Sequence, residues 1–173
     1  MDDLGRKSPE QLLLSDKHPI IVILDDVRSM HNVGSVFRTC DAFAVEELYL
    51  CGYTPCPPHR DIHKTALGAT ETVKWRSFAT TAEAVEHARS LGYSILAVEQ
   101  VHNSTPLNTF DWKGQKTALV FGNEVTGVNN EILGLADGCL EIPQWGSKHS
   151  LNIAVSAGVV LWELVRKKKT ILP

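Results

Sequence analysis

The chain has 173 residues, 43% hydrophobic and 21% charged, an ordinary globular composition that excludes collagen-like, disordered and cysteine-stapled classes. At this size roughly 70% of the unfolded surface can be buried, so one domain can hold a hydrophobic core without disulfides or a structural metal. Lys+Arg 17 against Asp+Glu 20 leaves a net charge of −3, which argues against nucleic-acid binding by bulk attraction and leaves that task to a local basic patch.

Residues 1–17 read as a short polar arm: Ser8, Pro9 and Glu10 suit a helix start, and Leu12, Leu13 and Leu14 give it one apolar contact. Met1, Asp2 and Asp3 are unlike the basic start of a signal peptide, and no apolar run approaches the roughly 18 residues of a membrane span. The expectation is a soluble, cytoplasmic chain with its domain over residues 18–173. Compact apolar runs of strand type follow at 20–24, 46–51, 72–75, 94–98, 117–121 and 139–142. Several are apolar at nearly every position, which suits strands covered on both faces. Helical periods lie between them at 33–43, 81–91 and 129–135, and a long one runs from 149 to about 168. Strands alternating with helices predict an α/β fold with a mainly parallel sheet. Residues 52–70, holding Pro55, Pro57, Pro58, His59, Arg60, His63 and Lys64, read as one long irregular loop. The last helix ends in Arg166, Lys167, Lys168 and Lys169, either to complement the helix dipole or to meet phosphates.

Cys40, Cys51, Cys56 and Cys139 form no CxxC pair and no zinc-finger spacing, so reduced thiols and no metal are expected, with only Cys56 near the surface. Ligands of open α/β sheets bind beyond the carboxyl ends of strands, and three such loops are unusual here. The first, DDVRSMHNVGSVFRT (25–39), offers Asn32 as a helix cap, Gly34 and Ser35 to admit a ligand to the first turn, and Arg38 within two turns of Asn32. The second, GNEVTGV (122–128), flanks Glu124 with two glycines as if a backbone wrapped around a ligand; a tight turn with a capping Glu is the plain alternative. Without a Gly-Lys-Ser/Thr ending or a GxGxxG it is neither a triphosphate cradle nor a conventional dinucleotide site. The third, PQWGSKHSLN (143–152), runs into the last helix with Ser150 and Asn152 at its start, where unpaired N–H groups can hold a ligand. His149 beside Ser150 does not make a hydrolase, since adjacent side chains seldom face each other and no GxSxG is present.

Taken together, NVGSVFRTCD (32–41), FGNEVTGV (121–128) and IPQWG (142–146) through SLN (150–152) resemble, in this order, the three motifs of the SpoU (TrmH-like) branch of the SPOUT RNA methyltransferases. The resemblance spans nearly the whole chain and is strongest to the tRNA ribose methyltransferases that modify the D-loop guanosine. It implies an α/β domain with a C-terminal trefoil knot, a homodimer with its active site at the subunit interface, S-adenosylmethionine as cofactor, and RNA, above all tRNA, as substrate. Carried onto this chain, it implies cofactor contacts at Val98, Glu99, Gly122, Asn123, Gly127, Ile142, Ser150 and Leu151. It implies catalytic roles for Arg38, Asn32, Glu124, Ser150 and Asn152: Arg38 as base or phosphate clamp, Asn32 fixing Arg38 or the ribose, Glu124 ordering loop and substrate, Ser150 and Asn152 lining the transfer site. The alternatives are a ribosomal RNA or anticodon methyltransferase, since the motifs report reaction and cofactor only, and a non-catalytic RNA-binding knot.

Overall fold

The computed structural model describes residue 11, residues 15–147 and residues 150–171, with side chains to residue 168. The expected N-terminal helix contacts, and Lys148 and His149, lie outside the described residues. Seven strands make one sheet: β1 (His18–Asp25), β2 (Val45–Cys51), β3 (Trp75–Phe78), β4 (Ser94–Val98), β5 (Thr105–Pro106), β6 (Thr117–Phe121) and β7 (Gly138–Glu141), in spatial order β3-β2-β1-β6-β4-β7-β5. Every pairing between them is parallel. The all-apolar strands follow from that topology, because β1 and β6 lie at the middle of the sheet with both faces covered. On one face pack α1 (Met30–Ala42), α2 (Arg60–Ala66), α3 (Ala69–Thr72) and α6 (Ile153–Ile171); on the other, α4 (Thr81–Ser90) and α5 (Asn130–Leu135). Among the described residues no helix is long and apolar enough to cross a membrane.

Several of the sequence expectations fail, each for a local reason. The strand expected at 72–75 begins only at Trp75, because Leu67 and Gly68 turn the chain with φ of 49° and 89° and a helical turn follows through Thr72. The Thr72 hydroxyl bonds the Asp41 carboxylate, so β-propensity at Thr72 and Val73 yields to a tertiary contact. The long loop at 52–70 contains α2, capped by the His59 ring, which accepts from the Asp61 N–H at 3.2 Å. Gly34 does not admit a ligand: it is buried, and a Cβ there would lie 2.1 Å from Thr65 Oγ1 and 2.4 Å from the Ile62 carbonyl oxygen. It is the point where α1 closes on α2. Gly34→Ala should therefore cost about 1–3 kcal/mol of stability, the usual range for overpacking, read as a lower denaturant midpoint at unchanged m-value.

The cysteines are unpaired, Cys40 and Cys51 buried and Cys56 and Cys139 both half-buried, so Cys139 joins Cys56 near the surface. Burial raises all four thiols, Cys51 to about 12, which leaves little thiolate at neutral pH.

Candidate functional site

A cavity of about 490 Å³ opens at the carboxyl ends of β6, β4 and β7, three neighbours in the sheet. Its walls come from residues 98–100, 121–127, 140–142, 144, 150–153 and 156, so the second and third loops face each other across it. Val98, Glu99, Gly122, Asn123, Gly127, Ile142, Ser150 and Leu151 all line it, as do Glu124 and Asn152.

The second loop is built to keep its own shape. Asn123 and Gly127 exchange backbone hydrogen bonds of 3.0 and 2.9 Å, closing the loop on itself. A Cβ on Gly122 would lie 2.1 Å from Gly127 C and Val128 N, so only glycine permits that closure. The Asn123 amide donates to the Asp26 carbonyl at 2.7 Å and accepts from the Val125 N–H at 2.8 Å. Glu99 accepts from the backbone of Val128 and Gln100, each at 3.0 Å, and thereby braces the loop from β4. The glycines thus permit the loop closure, and Asn123 and Glu99 brace the loop while also lining the cavity. The Asn-x-x-x-Gly spacing is the signal that could have revealed that closure.

Three of the expected catalytic side chains form one hydrogen-bonded row. The Asn32 amide donates to Glu124 Oε1 at 3.0 Å, and its own oxygen accepts from the Asn152 amide at 3.1 Å. Asn152 caps α6, accepting from the Ala154 N–H at 2.9 Å, and Glu124 Oε2 accepts from the Arg28 N–H at 3.4 Å. Asn32 is free for this row because Ser29, not Asn32, caps α1, its hydroxyl accepting from the Asn32 N–H. Burial pushes the Glu124 carboxyl up, but hydrogen bonds from Asn32 and from backbone amides outweigh it and hold the group below its ordinary value. Such a group contributes stability above its unfolded pKa and loses it as pH falls through the depressed folded value. Glu124→Gln should thus lower Tm at neutral pH, and its melting curve should converge with wild type between about pH 5 and pH 3, the range around an ordinary carboxylate.

Arg38 stands apart. It is exposed on α1 and does not line this cavity, because six residues turn it about 240° around the helix from Asn32. The helix is pinned beside α6 at two levels, by Asn32 against Asn152 and by Phe43 against Trp162, whose rings lie 6.4 Å apart. Val155, Val159 and Trp162 give α6 an exposed apolar stripe. The basic end of α6 is only partly available. Lys167 donates to the carbonyls of Leu107, Asn108 and Phe110 at 3.1, 3.2 and 2.6 Å, and Arg166 and Lys167 both pair with Glu163. The run thus ties α6 to the segment after β5 before it can serve any phosphate. Among the described residues no cluster of three His, Cys, Asp or Glu side chains could hold a metal ion.

Residues 19–162 match the model of the SpoU rRNA Methylase family. The tRNA (guanosine(18)-2'-O)-methyltransferase of Thermus thermophilus is 31% identical over 163 residues, covering 94% of this chain and 82% of that protein. Among solved structures, the TrmH/SpoU tRNA modifying enzyme of A. aeolicus superposes with a TM-score of 0.83 at 28% identity, covering 94% of this chain and 83% of that one. The SpoU methyltransferase AviRb of Streptomyces viridochromogenes, in complex with the cofactor AdoMet, superposes with a TM-score of 0.80 at 26% identity, covering 98% of this chain and 66% of that one.

Proposed function

The chain belongs to the SpoU rRNA methylase family, and from that premise we propose that it methylates the ribose 2′-hydroxyl of a guanosine in the D-loop of tRNA. Its class is RNA 2′-O-methyltransferase and its cofactor S-adenosylmethionine. The observation that carries the site assignment is the cavity at the ends of β4, β6 and β7, walled by both motif loops. The donor set fits the cofactor: apolar Val98, Phe121, Leu140, Ile142 and Leu151 for an adenine and ribose, open backbone at Gly122, and polar side chains at the α6 end for a charged tail. Bound there, S-adenosylmethionine supplies a sulfonium methyl group as the electrophile.

A secondary hydroxyl attacks poorly unless its proton leaves as the bond forms, and in this reading the proton passes to solvent at the open side of the site. In our reading the Glu124, Asn32 and Asn152 row aligns the ribose beside Ser150, each amide fixed in direction by its neighbours. Arg38 clamps the 3′ phosphate and stabilises the developing alkoxide, a role that suits a guanidinium better than proton abstraction, since arginine stays protonated in proteins.

Arg38 reaches such a site if two copies pair through α6. Val155, Val159 and Trp162 give α6 an exposed apolar stripe, and Arg38 is exposed on α1, the helix packed beside it, which supports the homodimer with a shared active site that the family resemblance implies. Trp162→Glu should convert the dimer to monomer in sedimentation and remove methyl transfer with it. The trefoil threading of the C-terminal segment belongs to the same proposal, supported by the way residues 140–142, 144 and 150–153 wall one cavity with 121–127. So does a methyltransferase domain over 18–173 working in the cytoplasm, where tRNA is met.

The target is tested by treating unmodified tRNA and ribosomal RNA with the protein and labelled S-adenosylmethionine and mapping the label by nucleoside mass spectrometry. Label in 2′-O-methylguanosine of the tRNA D-loop is expected; label in ribosomal RNA alone would move the target to the reading that the family's own name favours.

A further inference from the structure

Beside the cofactor cavity lies a second hollow of about 650 Å³, lined by Asp26, Arg28 and Ser29 of the first loop and by residues 123–126 of the second. The two hollows share the wall made by residues 123–126, so a molecule laid over that wall touches both. Tyr53, which lines a neighbouring hollow that shares Asp26 with the second, is 76% exposed, with the Arg28 guanidinium carbon 5.5 Å from its ring centroid. Val125, on the shared wall, is 90% exposed.

The backbone beneath these side chains is fixed while the side chains themselves are open. The Tyr53 N–H donates to Asp26 Oδ1 at 2.8 Å. Gly52 before it has φ 59°, and a Cβ there would lie 2.1 Å from the same carboxylate oxygen. Arg28 is tied through its N–H to Glu124, and so to the row of amides in the transfer site. An exposed aromatic face and a guanidinium plane carried on fixed backbone beside the proposed transfer site match the way unpaired RNA bases are recognised, by stacking on aromatic rings and arginine planes. The hollow sets two carboxylates, Asp26 and Glu124, against one guanidinium, Arg28, a balance that disfavours a phosphate, whereas the carboxylates can accept from the N–H groups of a base edge.

We propose that Tyr53 and Arg28 form a stacking seat for an unpaired base of the RNA at the methylated ribose. The proposal rests on the RNA methyltransferase reading but is tested apart from turnover. The probe is a short unpaired RNA oligonucleotide containing guanosine, titrated by fluorescence anisotropy into the full chain with S-adenosylmethionine present. Tyr53→Ala should weaken binding about tenfold or more, within the range of base–aromatic stacking. Tyr53→Phe should bind like wild type, and all variants should keep wild-type S-adenosylmethionine affinity and Tm. In turnover with the cognate RNA, the Tyr53→Ala loss should fall on KM rather than kcat. Tyr53→Ala binding as tightly as wild type would overturn the seat, and so would Tyr53→Phe losing as much as Tyr53→Ala. A wild-type protein that binds S-adenosylmethionine and methylates no RNA would instead overturn the functional reading, leaving the oligonucleotide titration to judge the seat alone.

Discussion

Arg38→Ala should lower the rate of methyl transfer by at least about a hundredfold, the loss usual for removing one preorganised charge or donor from a transition state, while S-adenosylmethionine binds with unchanged affinity. The separation follows from geometry. Arg38 is on α1 and on none of the cavity walls, so the cofactor does not sense it, whereas the phosphate and alkoxide it is proposed to hold exist only with RNA bound. Arg38→Lys should recover only a small part, because an ammonium lacks the planar fork that pairs with phosphate through two bonds. Single-turnover rates with saturating RNA and calorimetry with S-adenosylmethionine check both halves. Wild-type turnover in Arg38→Ala would remove Arg38 from the mechanism.

The second large effect is expected at Gly122. A methyl group there would sit 2.1 Å from Gly127 C and Val128 N, backbone that cannot rotate away as a side chain could. Gly122→Ala should open the closed loop, part the Asn123 and Gly127 hydrogen bonds, and pull Glu124 from Asn32. Cofactor affinity and turnover should fall together, with a stability loss at or above the top of the roughly 1–3 kcal/mol usual for overpacking. Calorimetry and thermal melts distinguish this from Arg38→Ala, which spares both. A Gly122→Ala protein with wild-type S-adenosylmethionine affinity would show that the loop does not form the cofactor wall.

What was legible in the sequence was whatever local chemistry dictates. The strands at 94–98 and 117–121 coincide with β4 and β6, because buried parallel strands are apolar throughout and end where glycines and polar residues begin. The site loops were legible because they follow those strands. Less legible was everything that depends on a distant partner. Thr72 and Val73 look like strand residues until Asp41 is placed beside them. Gly34 looks like a ligand port until α2 closes over it, and the bracing of the second loop by Glu99, through Val128 and Gln100, has no signal in the sequence. Asn32 and Arg38 share one motif, yet α1 sends them to different sides, and the bonds of Asn32 to Glu124 and Asn152 join segments 92 and 120 residues away. The basic run at 166–169 reads as free charge in sequence, but Glu163 and three carbonyl groups already engage much of it.

The central claim, methyl transfer from S-adenosylmethionine to an RNA ribose, is tested most directly by the alkali stability of the product. Alkali cleaves RNA by attack of the 2′-hydroxyl on the adjacent phosphate, so a methylated 2′-oxygen leaves an uncut linkage. RNA incubated with the protein and methyl-labelled S-adenosylmethionine should, after complete alkaline hydrolysis, carry its label in dinucleotides. Label recovered only in mononucleotides, as base methylation would leave it, would contradict the account.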